Sequence, residues 1–394
     1  MRLYHMDLSK AFSIDIHAGW VQKHNREALA VLEAYEADRP LRVPVFCGEW
    51  PGQHGFYADE ADVDYRTYYT DPDEMLRVQL EAARRRRELP IYDMVLGQPP
   101  PSWTVSVDLW PVVAPGWFGC ELVYRKDAVI AHRSLALSKE QCRHLSLPDT
   151  RTGGILAIAD TFLRQMKERY EGRLEFLGKP VGPFGNGIGT NGLFSLALDL
   201  YGADLMADMY DDPEFARTFL FKLGDYIDKL ERAACEKNNA TAGPFAITDH
   251  GIDMLSPEHY EEFIVPVVRA INRQRNTLPP TFLHHCGRGS HLFPVIKRCY
   301  GLTHLHALTY PLIDIARVRR DVGEDVWIAG LLDDTVVRFG PPEQIRQLVK
   351  ALMESGAKGR GRFSLVVGDM LKGTPLVHRE ALFESVKEFG GYCR

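Results

Sequence analysis

Eight short apolar runs, punctuated by amphipathic helix signals, most constrain what this chain can fold into. They fall at residues 43–47 (VPVFC), 92–97 (YDMVLG), 174–181 (LEFLGKPV), 245–249 (FAITD), 281–285 (TFLHH), 302–307 (LTHLHA), 326–332 (VWIAGLL) and 363–368 (FSLVVG). Runs of this length mark strands buried on both faces of a parallel sheet. The last five alternate regularly with helices. Eight alternations favour an α/β fold closed into a (β/α)8 TIM barrel over an open doubly wound sheet, which needs fewer strands.

Helix starts are written plainly. TDPDEM, DDPEFA and LSPEHY each set Asp or Ser before Pro and then an acid. That is an N-cap, a proline at the first helical position and a carboxylate in the first turn. Residues 98–150 break the rhythm with PPPSWTVSVDLW and CELVYRKDAVIAHRS, and read as an insertion of irregular or antiparallel structure. No linker interrupts the rest. Residues 1–40 are assigned to an N-terminal helical extension and 41–394 to one barrel domain. The run Arg84–Arg87 reads as a solvated helix end beside the negative pole of the helix dipole.

Bulk properties narrow the function classes. A formal charge of −6 leaves no basic excess to displace counterions, so no nucleic-acid partner is expected. No run of about 18 apolar residues occurs, so no membrane span is expected either. The opening MRLYHMDLSK lacks the apolar stretch of a secretion signal, and the seven cysteines follow no framework spacing. Both point to a soluble cytoplasmic protein with reduced thiols.

Barrel enzymes carry their chemistry where strands run into the following loops. Here those ends hold Cys47, Glu49 and Trp50; Asp249 and His250; His284, His285 and Cys286; His304 and His306; Asp333 and Asp334; and Gly368 and Asp369. His284 and Cys286 are two apart, so on a strand they share a face while His285 points the other way. An imidazole and a thiolate on one face suit zinc; the alternative is a core histidine beside a buried thiol. His304 and His306 repeat the two-residue spacing, as a ligand, a general acid or supporting packing.

Two further signals carry less. Gly187, Gly189 and Gly192 fit G-x-G-x-x-G, but far from the start of the chain, where a dinucleotide fingerprint belongs. They read instead as a loop whose backbone approaches a ligand. Trp103, Trp110 and Trp117 fit either a lid or core packing. No G-x-S-x-G elbow or P-loop appears.

TDHGIDMLSPEHYEEFIVPVVRAI, FLHHCGRGSHLFPVI and LLDDTVVRFGPPEQIRQLVKALMES together resemble the uroporphyrinogen decarboxylase superfamily. NREALAVLEAYEADRPLRVPVF, DLYGADLMADMYDDPEFARTFL and GTPLVHREALFESVKEFG resemble its opening, middle and last segments. The similarity covers most of residues 25–390. It implies a (β/α)8 barrel. It also implies one of two activities, porphyrinogen decarboxylation or zinc-dependent methyl transfer between a corrinoid and a thiol.

The decarboxylase branch carries an arginine-rich motif after its first strand, where this chain reads CGEWPGQHGF. A substrate with eight carboxylates needs cations, and the strand ends here are acidic. The resemblance therefore implies the methyltransferase branch, with His284 and Cys286 as the first zinc ligands. That branch places a second cysteine after the eighth strand, where this chain has VVGDMLKGTP. Asp369 is the assigned substitute, with Asp249, His306, Glu49 and Cys47 as alternatives. Glu49, Asp249, His250 and His306 form the catalytic or substrate-contacting set, and Gly187, Gly189 and Trp50 line the cofactor side. No D-x-H-x-x-G sequence is present, so cobalamin would reside on a partner corrinoid protein or be the substrate itself. A small-molecule acceptor and a homodimer complete the expectation. The competing readings are a metal-free carboxy-lyase and a non-catalytic ligand-binding barrel.

Overall fold

The computed structural model describes residues 11–48, 55–186, 192–237, 240–367 and 373–392. Ten strands occur among them. In chain order they are β1 Val45–Cys47, β2 Trp103–Val107, β3 Glu121–Val123, β4 Ala131–Arg133, β5 Glu175–Phe176, β6 Lys179–Asn186, β7 Phe282–His284, β8 His304–Tyr310, β9 Trp327–Leu332 and β10 Phe363–Val367. Five of the eight apolar runs thus become β1, β7, β8, β9 and β10. The chain divides into two units, residues 1–108, 162–185 and 307–394 in the first and 109–161 and 186–306 in the second.

The first unit is built on parallel strands in the order β1-β10-β9-β8. Val45 pairs with Leu365 and Cys47 with Val367, while Phe363 pairs with Ile328. All five residues of β10 are buried, as a central parallel strand requires. A second sheet has the order β2-β6-β5. Helices Gly19–Glu36, Pro72–Arg86, Pro342–Glu354 and Leu376–Phe389 belong to this unit. Asp71 caps the second of them by accepting from the Asp73 amide, with Pro72 in the first turn, as TDPDEM predicts.

Three expected strands do not form as such, each for a local reason. Residues 92–97 carry no strand, because a side chain takes over the edge contacts. The Asp93 amide donates to Val45 O at 2.8 Å, and the Asp93 carboxylate accepts from the Val45 amide and from Arg42. Residues 174–181 turn back on themselves as the antiparallel hairpin β5–β6. Leu177 and Gly178, at φ 48° and 71°, supply the two left-handed residues of a two-residue hairpin turn. Residues 245–249 run without ladder partners. The Phe245 amide donates instead to the Asn272 side chain.

The second unit contains β7 paired in parallel with the first half of β8, and the antiparallel hairpin β3–β4 within the expected insertion. Its longest helix, Pro213–Lys237, buries Phe215, Phe219, Leu220, Leu223, Ile227 and Leu230 on one face. Gly224 lets the helix Val265–Arg275 approach closely, since a Cβ there would lie 2.5 Å from Val267 Cγ1. Ser256 caps the turn at Pro257 by accepting from the His259 amide, as LSPEHY predicts. A π-helical turn, Tyr260–Ile264, links that start to Val265–Arg275.

One sequence expectation needs correction, and one open alternative is resolved. The Arg84–Arg87 run does end a helix, but it is not simply solvated. Arg84 pairs with Glu81 and Glu88, Arg85 with Glu60, and Arg87 lies over the Trp103 ring. Trp103 and Trp117 are each 2% exposed and anchor their units as core residues, not as a lid. Each satisfies its indole N–H internally, Trp103 on Phe176 O and Trp117 on Asp149 O. No helix among the described residues is long and apolar enough to cross a membrane.

Candidate metal centre

The residues that gather in the second unit come from two chain segments. The first is 245–250, which buries Phe245, Ile247 and Asp249 in alternation and leaves His250 half-buried. The second is β7 and the turn after it, which carries His284, His285 and Cys286. Strand periodicity sends His284 and Cys286 one way and His285 the other. His285 is fully buried. Its Nε2 accepts from the Gly289 amide at 2.9 Å, so the ring proton sits on Nδ1 and is donated to Asp249 O at 3.0 Å. That bond ties the two segments together behind the exposed side of the turn.

Asp249 tightens the same junction. It is 4% exposed. One carboxylate oxygen accepts from the Phe194 amide at 2.5 Å; the other accepts from the Ser195 amide, the Ser195 hydroxyl and the Gly251 amide. Asp249 is therefore a cap supplied from elsewhere in the chain for the helix Leu193–Leu200. Burial raises its pKa to about 6 against the lowering pull of those four donors. Gly192, at φ 110°, precedes that helix. A Cβ there would lie 2.3 Å from the Asp249 carboxyl carbon, so the last glycine of the G-x-G-x-x-G run serves this contact.

With the backs of both segments fixed, three donors meet in front. His250, His284 and Cys286 each offer a ligand atom, and these lie within 4.8 Å of one another. Cys286 Sγ is 3.4 Å from His250 Nδ1, and the His250 and His284 rings meet edge-on with centroids 5.7 Å apart. Zinc holds sulfur at about 2.3 Å and nitrogen at about 2.0–2.1 Å, which puts tetrahedral S and N ligands about 3.6 Å apart. The observed S···N spacing fits that value, and a set of two imidazoles and one thiol is a zinc-type donor set. Cys286 lies at an exposed position on this side of the turn.

The electrostatics disfavour the protonated imidazoles. Burial, then the neighbouring His306, His250 and His285, lower the His284 pKa to about 3. Burial also lowers those of His250 and His306. Neutral imidazoles are the form that binds metal. Behind His284, its Nδ1 lies 2.8 Å from His306 Nδ1, across the β7–β8 pair that sets these residues opposite each other. Ala307, the next residue, has φ 71°, a left-handed conformation uncommon for a non-glycine residue in a strand.

The structure thus joins His284 and Cys286, as their spacing suggests, and adds a member that sequence reasoning assigned elsewhere. His250 was assigned to substrate contact; it stands with His284 and Cys286 in a group that could hold a metal. The signal that could have found it was its place at the end of the run 245–249. Asp249, assigned to catalysis or ligation, has both oxygens taken by helix and loop donors. His306 lies behind His284 and outside the mutually close donor group. His304 opens β8 opposite Phe282, with its ring on the Thr303 hydroxyl. Asp333 caps the helix Asp334–Phe339, and Cys47 ends β1; both belong to the first unit. Glu49, Trp50, Gly187, Gly189 and Asp369 lie outside the described residues.

Three comparisons bear on these observations. The family model described as uroporphyrinogen decarboxylase (URO-D) matches residues 24–389. A uroporphyrinogen decarboxylase from Carboxydothermus hydrogenoformans is 24% identical over 180 residues, which is 46% of this chain and 49% of that protein. The match therefore spans about half the length of that curated relative. Among solved structures, a methyltransferase from Methanosarcina mazei superposes with a TM-score of 0.60 at 17% identity, covering 92% of this chain and 98% of the other. The fold is the α/β fold of the TIM-barrel class expected from the strand rhythm.

Proposed function

The chain belongs to the uroporphyrinogen decarboxylase family, and we propose that it works there as a zinc-type methyltransferase, with the metal held by His250, His284 and Cys286. The observation that carries this reading is the convergence of the three donors within 4.8 Å on the open side of a tightly braced turn. The structural likeness to a methyltransferase supports it as well. Bound there, zinc would supply a Lewis acid that lowers the pKa of an acceptor thiol, so that a thiolate exists at neutral pH.

The protein's own residues do the rest. His285 and the Asp249 carbonyl hold the turn in place. Asp249, through four donated bonds, fixes the segment that delivers His250. Depressed imidazole basicity keeps His250 and His284 unprotonated at neutral pH. The exposed Cys286 side leaves room for acceptor and methyl donor. The donor fitting this chemistry is a methyl-corrinoid carried by a separate protein, since the chain has no D-x-H-x-x-G sequence. Reduced thiols at the six described cysteines accord with a reducing, cytoplasmic setting.

The test is elemental analysis of the purified protein, joined to anomalous scattering at the zinc edge. One zinc per chain at His250, His284 and Cys286, with methyl transfer to a thiol from methylcobalamin, is the expected result. Sub-stoichiometric zinc that Cys286→Ser leaves unchanged would sink the reading. Turnover of uroporphyrinogen by the metal-free protein would replace it with a carboxy-lyase.

A further inference from the structure

We propose that His306 is a positioning residue that holds His284 in the one neutral tautomer able to bind a metal. This rests on the zinc reading above and adds a residue outside the donor group. The Nδ1 atoms of the two rings are 2.8 Å apart, with ring centroids at 5.0 Å and planes inclined by 33°. A hydrogen bond between two ring nitrogens needs one proton on one of them. If His284 donates, its lone pair is on Nε2, which is then the ligand atom. If His306 donates, His284 Nδ1 is occupied as an acceptor and its Nε2 carries the ring proton. No lone pair then remains for a metal.

His306 is held in place opposite His284. Its place opposite His284 is set by the parallel β7–β8 register and by the His285 amide, which donates to His306 O at 3.1 Å. The Phe282 ring packs against the His306 ring with centroids 5.8 Å apart. The left-handed Ala307 follows directly, where the strand departs from its regular path. The neighbouring His285 has its tautomer set by a backbone amide, whereas that of His284 depends on a side chain and can be changed by mutation.

The inference is tested on the full chain, selectively labelled with 15N-histidine, in wild type, His306→Asn and His306→Leu. Asparagine keeps an acceptor near the Nδ1 position; leucine removes it. Long-range 1H–15N spectra of the metal-free protein should show His284 protonated at Nδ1 in wild type. Zinc affinity, read by competition with a chromogenic chelator, should fall about 10–100-fold in the leucine variant, the usual cost of losing an outer partner of a metal-bound histidine. Asparagine should restore most of it. A proton on His284 Nε2 in wild type, or a leucine variant that binds zinc as tightly as wild type, overturns the proposal. Wild type that takes up no zinc overturns the methyltransferase reading and this inference together. Tight zinc binding that is indifferent to position 306 removes the inference alone. Should the leucine variant not fold, the wild-type tautomer and the asparagine variant still decide.

Discussion

Cys286 Sγ lies 3.4 Å from His250 Nδ1, though the two residues are 36 positions apart in the chain. Neither belongs to a helix, and Cys286 is two residues past the end of β7. Their meeting depends on how two loop segments are braced from behind. The first prediction follows from that dependence. Changing His250 to Ala should weaken zinc binding by more than the ~10–100-fold expected for an outer partner, because a direct ligand is lost. His304→Ala, at an exposed position outside the donor group, should leave zinc binding unchanged. Chelator competition on both variants checks the contrast.

Asp249 is predicted to matter for stability more than for chemistry. Asp249→Ala removes a helix cap and leaves buried amides unpaired, which together cost about 2–4 kcal/mol. Gly192→Ala should be harmful for a related reason, since its Cβ would meet the Asp249 carboxyl from a left-handed backbone. Urea denaturation of each variant gives the numbers. A fully stable Asp249→Ala protein that lost only activity would contradict this assignment.

The imidazole cluster predicts acid sensitivity of the metal-free protein. An unfolded histidine binds a proton near pH 6.5. His284 in the folded chain does so only at about 3, because of burial and then the neighbouring imidazoles. Below pH 6.5 the unfolded state therefore binds more protons, and the stability contributed above that pH is lost as pH falls toward 3. His284→Gln should flatten this slope. Denaturant midpoints at a series of pH values between 7.5 and 4.5 measure it.

A buried charge cluster predicts the largest stability loss in the second unit. Arg275, with its side chain 2% exposed, pairs with Asp228 at 2.5 Å and Glu231 at 2.7 Å. Removing the guanidinium takes the Arg275 partner from Glu231 and leaves buried Asp228 with Arg232. Arg275→Ala should cost about 3–5 kcal/mol. Thermal or urea unfolding of the variant tests it, and a loss under 1 kcal/mol would mean the carboxylates find other partners or water.

What the sequence determined by itself is local. Helix caps at Asp71 and Ser256 are visible because an N-cap, a proline and an acid act within one turn. The shared face of His284 and Cys286 follows from a two-residue period, and β10 is legible because a strand buried on both faces is apolar throughout. The tertiary structure decided the rest. Residues 92–97 and 245–249 look like strands, yet Asp93 and Asn272 side chains take the places of ladder partners. No spacing reveals that a distant side chain will do this. Asp249 reads as chemistry at a strand end until four donors surround it. His284 and Cys286 are a weak pair in sequence; folding adds His250 as a third donor and sets His306 behind them. Metal sites and polar cores are made of contacts between distant segments, and those contacts exist only once the chain has packed.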